Sequence, residues 1–179
     1  MQAKTADSIA SNMTPSGEWV EITYFFIGAS RMKLGVRASP SEVVYCVIDD
    51  KKGEVITIDK ITTPKSMSTP EALKHIRLNL IDILREYSIL EAGIRILEPT
   101  AQRISIERVQ IEGVIQEAFA SSPLKSYYIG QISNISSRIG IKRTEFKPLV
   151  EGESAPDGFE GWDNLSKAER EAVLCAMGA

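Results

Sequence analysis

Histidine and cysteine are nearly absent from this sequence: His75 stands alone, and Cys46 and Cys175 are the two thiols. A structural zinc site takes about four Cys or His ligands, so one chain of this composition does not build one. A disulfide framework is excluded too, because both cysteines sit in apolar patterns that read as core. A Ser-His or Cys-His nucleophile would have to use His75, which lies mid-pattern in a predicted helix, several turns from any loop. Neither G-x-G-x-x-G nor G-x-x-x-x-G-K-[ST] occurs, which removes the usual nucleotide-phosphate loops and, with them, a kinase-related reading. No apolar run approaches the roughly 18 residues of a membrane-crossing helix, and MQAKTADSIASNMTPSGE lacks the apolar core of a secretory signal. The expectation is a soluble, cytoplasmic protein with no membrane partner.

What the sequence does have is a globular composition: 179 residues, 43% of them hydrophobic, enough for one domain with tails and for a core that needs neither metal nor disulfide. The groups left for chemistry are carboxylates, which in pairs serve acid–base work or hold hard divalent cations. The net charge of −3 argues against a general nucleic-acid coating protein. The charge is nevertheless unevenly spread. Between residues 123 and 150, Lys125, Arg138, Lys142, Arg143 and Lys147 face only Glu145, whereas from residue 151 onward Glu151, Glu153, Asp157, Glu160, Asp163, Glu169 and Glu171 face only Lys167 and Arg170. Two readings fit: solvated faces of opposite sign, or a basic groove in which Arg138, Lys142, Arg143 and Lys147 hold nucleic acid or an acidic protein partner.

Residues 1–17 show no sustained period and read as a flexible tail, and EWVEITYFFIG (18–28) reads as a strand or a short helix. Three strands follow: MKLGVRA (32–38), EVVYCVIDD (42–50) and EVITIDKI (54–61). Asp-Lys-Lys-Gly between the last two is a hairpin signal, with Gly53 supplying the positive φ, and Asp49 and Asp50 read as turn residues. The continuous apolar run VVYCVI predicts a strand covered on both faces. Ser68 or Thr69, Pro70 and Glu71 predict a helix start, and Leu73, Ile76, Leu80, Ile83, Leu84 and Tyr87 carry the helical period. AGIRILE (92–98) predicts a strand stopped by Pro99. A helix over 105–119 turns Ile111, Val114, Ile115, Ala118 and Phe119 inward, KSYYIG (125–130) is a fifth strand, and ISNISSRIG a short helix ended by Gly140. A linker at 151–163, rich in Gly, Glu, Pro and Asp, separates the 18–150 core from a terminal helix at 164–179, which opens on the capping pair Ser166 and Glu169, ends at Gly178 and packs on the core. The order predicts an α/β fold: a mixed five-stranded sheet, a three-strand meander followed by two strands joined through helices, with helices on both faces.

This order, with LGVRASPSEVVYCVID, TPEALKHIRLNLIDILREY, IRILE, RVQIEGVIQEAF, YYIGQISNISSRIG and KAEREAVLCAMGA, resembles the ribonuclease H-like superfamily and within it the Holliday-junction resolvase branch and its uncharacterised relatives. The resemblance covers roughly residues 32–140 and the last helix. It implies a ribonuclease H-like fold and, in active members, phosphodiester cleavage with two magnesium ions held by three or four carboxylates, which stabilise the attacking water and the leaving oxygen together.

Carried onto this chain, the resemblance matches Glu98 to the ligand at the end of the fourth core strand and Glu171, better than Glu169, to the ligand on the last helix. Glu112 matches a further acid of some relatives. The first ligand of the family is an Asp in a G-[IV]-D triplet, and the matching triplet here is Gly35-Val36-Arg37. A guanidinium cannot ligate a cation and repels one. Each position also has a plainer reading: Glu98 ends a strand, Glu112 is a surface helix residue, Glu171 answers a helix dipole, and Arg37 is a surface residue past a strand end. The sharper reading of Arg37 pairs it with Glu98 or with an acid of the last helix, turning a metal site into an ion-pair site. The expectation is a catalytically degenerate binding or scaffolding module without a cofactor. The alternative is a magnesium-dependent nuclease acting on structured nucleic acid through Glu98, Glu112 and Glu171.

Overall fold

In the computed structural model, residues 10–13 and 19–22 are described as backbone, and residues 31–98 and 104–179 with their side chains. Strands β1 (Ala10–Met13) and β2 (Trp19–Ile22) pair antiparallel in a two-stranded sheet. Strand β1 thus falls inside the stretch 1–17 read as a tail without regular structure, and β2 takes the strand alternative within 18–28; the rest of both stretches lies outside the described residues.

The main sheet has five strands: β3 (Met32–Ala38), β4 (Glu42–Asp49), β5 (Glu54–Thr62), β6 (Glu91–Arg95) and β7 (Ser126–Gly130). They lie in the order β5-β4-β3-β6-β7, with β3, β4 and β5 an antiparallel meander, and β6 and β7 added parallel to β3. The fold class is thus the one expected, a mixed α/β sheet. Gly53, at φ +67°, closes the β4–β5 turn with its N–H on the Asp49 carbonyl (2.9 Å). Asp49 itself is the last residue of β4 and fully buried, its Oδ1 accepting the Lys51 N–H (3.1 Å), while Asp50 accepts Lys33 Nζ at 2.8 Å.

Helix α1 (Thr69–Glu86) starts where Ser68, Pro70 and Glu71 predict, with Glu71 accepting the Ser68 N–H at 2.8 Å, and buries Ile76, Leu80, Ile83 and Leu84. Helix α2 (Ile106–Ala120) is capped by Ser105 and buries Ile111, Ile115, Ala118 and Phe119. Both pack on one face, against Leu34, Val36, Ala38, Val43, Tyr45, Val47, Ala92 and Ile94. The opposite face, led by Val44, Cys46 and Tyr128, carries α5 (Lys167–Met177), with α3 (Ile132–Arg138) and α4 (Arg143–Glu151) beside it. In β4 successive side chains therefore enter different cores, which is why its sequence is apolar without alternation.

The structure differs from the sequence reading in three further places. Helix α4 falls where no helix was expected. Glu145 closes its first turn by accepting the Lys142 N–H (2.8 Å), Phe146, Leu149 and Val150 form its buried stripe, and Gly152 ends it at φ +80°. Strand β6 is shorter than 92–98, because after the Ile96 N–H bonds the Gly130 carbonyl, the Leu97 N–H turns to the carboxylate of Glu112. The 151–163 stretch contributes to the core through Trp162, which is 2% exposed, donates from Nε1 to the Leu149 carbonyl (2.9 Å) and meets Phe159 edge-on.

Candidate functional site

The pattern Gly-x-Arg occurs in two strands, as Gly35-Val36-Arg37 in β3 and Gly93-Ile94-Arg95 in β6. The strands are parallel neighbours whose register sets Gly35 beside Gly93 and Arg37 beside Arg95. Alternation along a strand sends these four positions to one face, the face that α5 covers. The two glycines leave backbone bare there, and the helix lies directly on it. A Cβ at Gly35 would fall closer than 3.0 Å to the Ala172 carbonyl oxygen and the Ala176 backbone, and one at Gly93 equally close to the Tyr128 ring and the Cys175 carbonyl. Tyr128 fixes the same turn of α5 by donating to the Cys175 carbonyl (2.9 Å).

One turn before Cys175, this approach delivers Glu171 to the arginine pair. Arg37 Nε donates to Glu171 Oε2, and Arg95 Nη1 donates to Oε1 at 2.5 Å. Arg37 also donates through Nη1 to the Ala38 carbonyl, and Arg95 lies over the Phe146 ring at 5.8 Å. The group is shielded but not sealed: the side chains of Arg37, Arg95 and Glu171 keep 17%, 12% and 5% of their surface.

Glu112 belongs to a neighbouring ion pair. It is 5% exposed, accepts Arg108 Nε at 2.6 Å through Oε1 and the Leu97 N–H at 3.1 Å through Oε2. Burial first, and then the positive charge of Arg37, lowers the Arg108 guanidinium below its ordinary range, with Arg95 acting in the same sense and Glu112 against it. Glu98 turns elsewhere: its Oε1 accepts the Ile132 N–H (2.8 Å) at the start of α3. Of the residues singled out in the sequence, Arg37 and Glu171 are thus in contact, Glu112 pairs with an arginine of its own helix, and Glu98 holds the head of α3. Among the described residues no group of three or more His, Cys, Asp or Glu side chains is placed to hold a metal ion.

Arg95 and Arg108 were not foreseen. The signal for Arg95 was the repeated Gly-x-Arg, which becomes informative only when the strands are paired. Arg108 reads from sequence as half of an ordinary i,i+4 pair with Glu112. The basic residues divide. Lys142, Arg143 and Lys147 are exposed at the start and along the outer side of α4. Arg138, also exposed, donates from Nη1 to the Gly178 carbonyl (3.0 Å) and lies over the Tyr128 ring at 4.2 Å. His75 is half-buried in α1, its Nδ1 3.3 Å from Asn79 Nδ2. Cys46 and Cys175 are buried free thiols, both pushed up to about 12 by burial.

A five-stranded mixed sheet in this order, with helices on both faces, is a ribonuclease H-like fold. The chain superposes on the RuvC structure of Thermus thermophilus with a TM-score of 0.62, at 12% identity over 82% of this chain and 92% of that one. A second structure, T. thermophilus RuvC in complex with a Holliday junction substrate, gives a TM-score of 0.57 at 10% identity, over 83% and 91% of the two chains. At these identities the likeness is one of fold. No protein-family model matches the chain, and no curated protein matches it. Among the described residues no helix is long and apolar enough to cross a membrane.

Proposed function

We propose that this chain is a catalytically degenerate ribonuclease H-like protein, a binding module that engages nucleic acid without cutting it. The observation that carries this reading is the closure of Arg37 and Arg95 on Glu171. The resemblance implies a carboxylate where Arg37 stands, and Glu171 is the best match for the carboxylate that would face it across a metal. Here the facing carboxylate has both oxygens engaged by guanidinium groups. The residues do not fit a two-magnesium centre. Each unit charge at about 4 Å is worth about 4 kcal/mol at an effective dielectric near 20, so two arginines at the carboxylate oppose a divalent cation strongly. Glu112 and Glu98, the other candidate ligands, accept from Arg108 and from the Ile132 N–H.

Binding is supported by the exposed cations of α4. Lys142, Arg143 and Lys147, with Arg138, supply an anion-attracting surface on a chain that is acidic as a whole. The Holliday junction held by the T. thermophilus RuvC complex makes branched DNA the first probe to try. Four phosphate contacts give a slope of roughly −3 to −4 in log affinity against log salt.

The test combines calorimetry and cleavage. Titration with magnesium or manganese should show no tight site, and four-way junctions, duplexes and RNA–DNA hybrids should be bound at low salt and survive intact in magnesium. Magnesium-dependent cutting that is abolished by Glu98→Gln, Glu112→Gln or Glu171→Gln would replace the degenerate reading with the nuclease one.

A further inference from the structure

Three guanidinium groups from three elements gather where β3 and β6 end: Arg37 and Arg95 are register partners on the two strands, and Arg108 of α2 is tied to the same end through Glu112, which accepts both Arg108 Nε (2.6 Å) and the N–H of Leu97 (3.1 Å), two residues past Arg95. The two carboxylates that pair with them, Glu171 and Glu112, leave one positive charge over, three minus two. Their hydrogen bonds are also incomplete. A guanidinium carries five N–H groups. Within the described residues these three make four bonds: Arg37 to Glu171 and to the Ala38 carbonyl, Arg95 to Glu171, and Arg108 to Glu112. Arg95 Nε and Arg108 Nη2 are buried with no partner among the described residues. A buried charged donor left unsatisfied is costly, so a cluster carrying two of them is poised for an acceptor.

We infer that Arg37, Arg95 and Arg108 form a binding site for a phosphate oxyanion, and that the phosphodiester of a nucleic-acid backbone is the form that fits its charge. The inference rests on the binding-module reading above and names the ligand of that same site. A phosphodiester carries one negative charge, which equals the surplus of the cluster. Its tetrahedral oxygens can take donors from the two strands and the helix at once, where a planar carboxylate presents one edge. Arg37 and Arg95, partly exposed, provide the approach. Where the resemblance implies that two metal ions would meet a phosphate, the guanidinium groups meet it directly, which holds the backbone and supplies no activated water.

Arginine Nε–Hε resonances of the full-length 15N-labelled protein test this. In separate arms the protein is titrated with inorganic phosphate, with a short DNA duplex, and with chloride at matched ionic strength. The Nε–Hε signal of Arg95 should shift to saturation with the duplex and, more weakly, with phosphate, but not with chloride. Shifts with phosphate and none with the duplex would assign a free-phosphate site and overturn the backbone assignment. Arg108→Gln should weaken duplex binding roughly tenfold or more and flatten its salt slope by about 0.9. Lys142→Gln/Lys147→Gln should weaken the duplex arm and leave the phosphate arm unchanged. Static Nε–Hε signals for Arg37, Arg95 and Arg108 with duplex bound would overturn the inference, and so would unchanged affinity and slope in a folded Arg108→Gln protein. If that variant does not fold, the wild-type spectra decide. Magnesium-dependent cleavage would sink the binding-module reading independently of these shifts.

Discussion

Gly35 and Ala172 meet backbone against backbone: the central strand of the sheet presents no side chain where α5 crosses it, and the helix carbonyl occupies the space a Cβ would need. Overpacking of this kind costs about 1–3 kcal/mol when side chains can yield, and here the obstacle is main chain. Gly35→Ala should therefore destabilise the protein by at least about 3 kcal/mol in urea unfolding. Gly113→Ala is the matched control, since nothing lies within 4 Å of a Cβ there and the residue is inside α2. It should stabilise by about 0.5–1 kcal/mol, and equal effects at the two sites would refute this account of how α5 is seated.

Glu171→Gln keeps the shape of the side chain and removes the charge between Arg37 and Arg95. Breaking a buried pair from one side costs about 3–5 kcal/mol, because the partners stay buried without an anion. Replacing the whole triad with apolar residues of similar volume, as in Arg37→Met/Arg95→Leu/Glu171→Met, should recover most of that loss. A single variant as stable as wild type would mean that solvent already screens the group.

Arg37→Asp alone should fail to create a manganese site, because Arg95 still holds Glu171. Arg37→Asp/Arg95→Ser removes both competing cations and adds a carboxylate on the face toward α5. Calorimetry should show manganese binding in the double variant and none in either single one. Tight binding to Arg37→Asp alone would show that Arg95 does not guard the carboxylate.

Stability should fall in alkali through the two thiols. Burial raises Cys46 and Cys175 from 9.0 to about 12, so between those values the unfolded chain has released protons that the folded chain still binds. Fewer protons on the unfolded side means stability decreases as pH rises: the contribution is whole below pH 9 and declines toward pH 12 by about 1.4 kcal/mol per pH unit for each thiol. Tyr128, raised chiefly by burial, acts in the same direction above pH 10. Between about pH 8 and about pH 10.5, Cys46→Ala/Cys175→Ala should lose less stability than wild type. An equal loss would show that the thiols are not the cause.

The sheet and its long helices were legible because their signals are local. Ser68, Pro70 and Glu71 start α1, Ser166 and Glu169 cap α5, and Gly53 closes a hairpin. Helix α4 was hidden by Pro148 in its interior and by a start at Lys142, a residue type outside the usual caps. The site was legible only in part. Arg37 stood out through its place in the triplet, and its pairing with an acid of the last helix is what the structure shows. Arg95 did not stand out, because its meaning depends on β3 and β6 lying in register, a relation between distant segments. Glu112 reads as a surface residue from helical period alone. It is buried because the strand end at Leu97 needs an acceptor, which no periodicity reveals.

Arg37 and Glu171 are 134 residues apart in sequence. A chain has to close a loop of that length before the contact rewards it, and folds dominated by such distant contacts reach the native state slowly. The meander β3-β4-β5 can form from neighbours in the chain, but its glycine-lined face waits for α5. Until that helix docks, a strip of bare backbone on the inner strands and two unneutralised guanidinium groups at their ends lie open. On this topology α5 is expected to dock late, as a clasp. If it docks after the rate-limiting step, substitutions on it should leave the folding rate almost untouched and quicken unfolding, which chevron plots of α5 variants would read directly.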